Sequence, residues 1–137
     1  MRAKRVFEIL SSLLKCDASK KYQVIVAGPI FDSRVKQLIP TLPGNYIFTG
    51  PIGKSEIRKH YSDAAAVITL NDIEPYGLVI DEAAGYNCWI LASRFSGAAQ
   101  GLSDAGYTKI RTVSAFDDEA IFVSIEKFLR ELEESEC

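Results

Sequence analysis

Short apolar runs set apart by helical segments constrain this chain more than any other feature. YQVIVAG, NYIFTG, AAVITL and CWILAS recur along it, and KIRTV is a weaker fifth run of the same kind. A run that is apolar on both faces and rich in β-branched residues suits a strand buried in a parallel sheet, because helices then cover both sides of it. Gly28-Pro29 and Gly50-Pro51 end the first two runs. Such pairs turn the chain, although Gly28 also has the freedom to let a phosphate approach the backbone.

Helical periodicity fills the intervals. Residues 5–15 place Val6, Phe7, Ile9, Leu10, Leu13 and Leu14 at helical spacings, with Glu8, Ser11 and Ser12 elsewhere round the helix. A second helix over residues 33–38 is stopped by Pro40 and Pro43, and a third runs over 55–61 with Ser55 as its cap. LVIDEAAGY, residues 78–86, reads as a fourth. The closing helix, residues 118–133, gathers Ile121, Phe122, Ile125, Phe128, Leu129 and Leu132 on one stripe opposite acidic side chains. Strands alternating with helices imply parallel pairing through right-handed crossovers, so the expected fold class is α/β, a Rossmann-like three-layer sandwich with a mostly parallel sheet of about five strands.

At 137 residues, 47% hydrophobic and 25% charged, with no linker-like stretch, the chain reads as one domain over residues 1–137. No apolar run reaches the roughly 20 residues of a membrane span. Glu8 interrupts the N-terminal apolar stretch that a secretion signal requires, so a cytoplasmic location is expected. Cys16, Cys88 and Cys137 lack metal-like spacing, and an odd number fits a reducing compartment. A net charge of -2 offers no broad basic face to nucleic acid.

Folding grammar alone does not account for Asn71-Asp72-Ile73-Glu74-Pro75-Tyr76-Gly77. After a buried strand, this stretch brings two carboxylates, a rigid proline and a glycine to a helix N-terminus, where free amides and the helix dipole favour an anion. Glu82 lies four residues past Leu78, on the same helical face. An ionised glutamate accepts from two neighbouring hydroxyls at once, so a vicinal diol is its natural partner.

The run from Glu74 to Glu82, EPYGLVIDE, resembles the paired-glutamate signature of retaining GT-B glycosyltransferases, the family 4 group in particular. The likeness covers nearly the whole chain. Tyr46 to Gly50 looks like the strand and glycine turn that border the base, Tyr61 falls where the following helix has a tyrosine, and Ala83, Ala92, Ser93 and Gly97 fit the positions downstream. Asn87 stands at a usual glycine, Trp89 where proline is common, Ser96 at the first of a glycine pair, and Gln100 at a frequent glutamate.

The resemblance implies the donor-binding half of such an enzyme. It assigns Glu74, as the catalytic-site residue, to the sugar hydroxyls of a nucleotide-diphosphate sugar, and Glu82 to the ribose. The backbone of Tyr76, Gly77 and Leu78 would hold the diphosphate, Lys4 would neutralise it, and Gly50 and Ile52 would border the base. Neither a cofactor nor a metal is implied. The strand and arginine that open this half in the family have no counterpart, and the acceptor half is lacking, so transfer calls for an acceptor-binding domain or subunit. A non-catalytic nucleotide-sugar-binding or docking module, partnering a separate acceptor-domain chain, is the alternative. Outside this set, Cys88 and Trp89 read as core residues, His60 as helix surface and Lys54 as a loop lysine.

Overall fold

Alternation of apolar runs with amphipathic segments produces alternating strands and helices. The structure, a computed structural model, describes residues 5–71 and 78–135. In chain order the elements are α1 (Val6–Lys15), β1 (Val24–Ala27), α2 (Ser33–Leu38), β2 (Tyr46–Gly50), α3 (Lys54–Asp63) and β3 (Ala66–Thr69). Then follow α4 (Leu78–Gly85), β4 (Trp89–Ser93), α5 (Gly97–Asp104), β5 (Ile110–Val113) and α6 (Asp118–Ser135). Short 3-10 turns at Asp17–Lys21 and Ile39–Thr41 carry the chain out of α1 and α2.

The five strands pair in parallel wherever they pair, as the α/β reading requires, and an isolated antiparallel bridge joins Gly28, just past β1, to Gly50, the last residue of β2. The strands nevertheless form two sheets, β1 beside β2 and then β3, β4 and β5 in that order. Side-chain alternation along β4 explains the two-sided burial. Leu91 faces a core shared with Leu13 of α1, Val113 of β5 and Ile121, Ile125, Phe128 and Leu129 of α6. Its neighbours Ile90 and Ala92 face the other way, onto Ile80 and Ala83 of α4 and Ala99 of α5. Helices therefore cover both faces, and β4, flanked by a strand on each side, is the innermost element.

Two helices differ from the periodicity. α3 starts at Lys54 with Gly53 as its N-cap, so Ser55 lies within the first turn and caps nothing. α5 carries no apolar repeat and two glycines, yet it forms, because Ser96 Oγ accepts from the Ala99 amide at 3.3 Å and Ala99 is fully buried.

Ion pairs tie helices to their neighbours at the surface. Arg34 of α2 meets Glu8 of α1 at 3.0 Å and lies over the Phe7 ring at 4.6 Å, while Asp32 caps α2 through the Arg34 amide. Arg111 of β5 meets Glu131 of α6 at 2.8 Å and lies over Trp89 at 5.2 Å.

Candidate functional site

In a parallel sheet every helix N-terminus lies at the carboxyl end of the preceding strand, and ligands collect there. Here the carboxyl ends of β3 and β4 lead to α4 and α5. α4 begins at Leu78, and Glu82 follows one turn later on it, half-buried. Its spacing from Leu78 is thus the helical one that the sequence implies. Among the described residues, no hydrogen bond or ion pair engages the Glu82 carboxylate. Glu74, Tyr76, Gly77 and Lys4 lie outside the described residues.

Gly50 and Ile52 sit at the carboxyl end of β2. Gly50 has φ 67°, a conformation that suits glycine, and its carbonyl accepts from the Gly28 amide at 3.1 Å. The Gly28 amide also reaches Thr49 Oγ1 at 3.2 Å. These two glycine turns hold each other, so the Gly28 N–H is committed to the fold and Gly28-Pro29 acts as a strand-ending turn. Ile52 is half-buried beyond it. Lys54 opens α3 on the exposed side, and His60 lies half-buried near the end of that helix.

A group of residues that the periodicity does not single out lines the carboxyl edge. Arg5 takes φ 57°, in the left-handed region, immediately before α1. From there its guanidinium donates to the Leu70 carbonyl and lies 3.9 Å from the centroid of Phe116. Phe116 contacts Phe95 with ring centroids 6.2 Å apart, and Arg94 lies over Phe95 at 4.7 Å. Two arginines and two phenylalanines thus link the ends of β3, β4 and β5. The signal available in the sequence was Arg94-Phe95 directly after a buried strand. Residues 5 and 116 offer none, since their contact depends on the tertiary fold.

Around these positions the structure is conventional. Ser93, fully buried, accepts from the Phe95 amide through Oγ at 3.1 Å and shapes the turn into α5. Cys88 is buried, with Sγ toward the Tyr61 carbonyl at 3.4 Å, and burial raises its thiol above the ordinary range. Trp89 meets Phe128 edge-on at 6.4 Å. Both act as core residues. An open hollow of about 460 Å³ beside α6, lined by Thr112, Asp117 and Ser124 among others, includes none of the donor-site positions. Among the described residues no cluster of three or more His, Cys, Asp or Glu could hold a metal.

The sequence model for the family described as Glycosyl transferases group 1 matches residues 2–136. The chain belongs to that family. Among curated proteins none matches the chain. Membership makes this group 1 domain part of glycosyl transfer, with a sugar donor and an acceptor as its chemistry. No described helix of the domain is long and apolar enough to cross a membrane.

Proposed function

We propose that this group 1 glycosyl transferase domain binds a nucleotide-diphosphate sugar and, joined to an acceptor-binding domain or subunit, supports transfer with retention at the anomeric carbon. The observation that carries the reading is the glutamate pair within a family match spanning residues 2–136. α4 adds support, because it begins at Leu78 and carries a half-buried Glu82 whose carboxylate has no partner among the described residues.

In this reading the first amides of α4, together with Tyr76 and Gly77, receive the diphosphate, since the leading amides of a helix lack intrahelical acceptors and its dipole favours negative charge. Glu82 accepts from the ribose hydroxyls one turn along. Glu74 accepts from the sugar and orients its anomeric carbon. Gly50 and Ile52 border the base, and Lys4 balances charge on the diphosphate. The acceptor oxygen attacks from the face that the nucleotide diphosphate leaves, while amides and basic side chains stabilise the departing charge.

Calorimetric titration with UDP, GDP and their sugars tests this. Binding is expected for one base, and Glu82→Ala should weaken it about tenfold, the equivalent of about 1.4 kcal/mol. If the unaltered chain shows no binding of any of these at millimolar concentration, the reading fails. The alternative, a docking module for a separate acceptor-domain chain, draws on the division of the strands into two sheets. It predicts stable association with that chain and no turnover by the pair.

A further inference from the structure

Among the described residues Phe31 is the most exposed of the large apolar side chains, at 72%. It belongs to neither apolar cluster, and no described ring or guanidinium lies against it. A phenyl ring gains free energy by leaving water, yet single exposed apolar residues are ordinary at a surface. Its position is what decides.

Phe31 stands between β1 and α2, at the carboxyl end of its strand, the side of a parallel sheet on which ligands collect. β1 and β2 run side by side with Ala27 paired to Gly50, and the Gly28 amide donates to the Gly50 carbonyl at 3.1 Å. Neighbouring strands lie about 4.8 Å apart, so the loops that leave these two strands start next to each other. Phe31 follows three residues after Gly28, and Ile52 two residues after Gly50.

Both flanks of the Phe31 loop are held. On one side Gly28 is bonded to Gly50 and to Thr49 Oγ1, and Pro29 fixes its own φ. On the other, Asp32 accepts from the Arg34 amide at 2.9 Å and from its guanidinium at 2.8 Å, and that guanidinium continues to Glu8 at 3.0 Å. Only Pro29, Ile30 and Phe31 separate the two anchors. A ring presented from so short a pinned segment loses little freedom when a ligand covers it.

We infer that Phe31 is a stacking wall for the nucleobase, its ring lying on one face of the base while the turn at Gly50 and Ile52 borders it from β2. The inference rests on the donor-binding reading above, which brings the base to Gly50 and Ile52 and gives Phe31 no role. A nucleobase is a flat π-system that aromatic side chains take face to face. A phenyl ring has neither donor nor acceptor, so Phe31 adds affinity for any base, and the choice among bases falls to polar groups at the base edge. Phe31 thus holds the donor and takes no part in bond making.

Titration of the full chain, Phe31→Ala and Phe31→Tyr with UDP, GDP and ribose 5-diphosphate tests this, since the last ligand keeps the sugar and diphosphate and lacks the base. Phe31→Ala should weaken the preferred nucleotide about tenfold and leave ribose 5-diphosphate unchanged, and Phe31→Tyr should restore the nucleotide. The urea midpoint of Phe31→Ala should match that of the unaltered chain, because so exposed a ring supports little of the fold. If Phe31→Ala binds the nucleotide as tightly as the unaltered chain, the inference falls and donor binding stands. Equal weakening of nucleotide and ribose 5-diphosphate also overturns it, because the loop and not the ring would then matter. Binding of neither UDP nor GDP by the unaltered chain defeats the donor-binding reading and this inference with it.

Discussion

Among the described residues, two other than glycine hold left-handed backbone, and they do so for different reasons. Asn87, φ 62°, closes α4 into β4, with its carbonyl taking the Lys109 ammonium at 3.4 Å. Asparagine tolerates this conformation better than most side chains. Asn87→Ala should therefore lose about 1 kcal/mol in urea unfolding, while Asn87→Gly should lose nothing. Equal losses in both variants would mean that the side chain, and not the backbone angle, matters. Arg5 takes a similar angle without that excuse, and its Leu70 and Phe116 contacts offset the strain. Legibility at this scale follows the range of the interaction. Glu82 was readable, because four residues on a helix return to the same face. The Arg5, Phe116 and Phe95 contacts were not, because Arg5 and the Phe116 ring it lies over are 111 residues apart in the chain.

Among the elements, helices with a continuous apolar stripe were legible nearly to their ends. α1 begins one residue inside the range its periodicity marks, and α6 runs two residues beyond it. Failure occurred at α5, GAAQGLSD, where small residues leave no stripe to read. Its formation rests on the Ser96 cap and on Ala99 lying against β4 and α4. Ser96→Ala should accordingly cost about 1 kcal/mol of unfolding free energy in urea, with faster exchange confined to the first turn of α5. A loss spread evenly over the molecule, or none, would remove the cap from this account. Strand existence was also legible, but strand order was not. An apolar run states that it is buried, and nothing in it names its neighbour, so the separation of β1 and β2 from the other strands became visible only in the fold.

For the whole molecule, buried acids with raised pKa values set the alkaline limit. Burial pushes up Cys16 and Cys88, and it does the same to Tyr46 and Tyr107. The unfolded chain releases thiol protons from about pH 8.5, whereas the folded chain holds them to higher pH. Above that point the native state binds more protons, so stability is complete below it and falls as pH rises. Urea midpoints should be flat from pH 7 to 8 and decline toward pH 10, and a constant midpoint would contradict the burial of these groups. Both core thiols should also resist alkylation until the chain unfolds, since Cys16 and Cys88 are at most 3% exposed.

Donor binding at the glutamate pair is the central claim, and the most direct test maps it residue by residue. Amide resonances should be followed while a UDP- or GDP-sugar is titrated into the chain. The account predicts shifts concentrated in residues 74–82 and at Gly50 and Ile52, with Glu82→Ala shrinking them. Saturable shifts centred instead on Arg94, Phe95 and Phe116, with residues 74–82 unmoved, would contradict it.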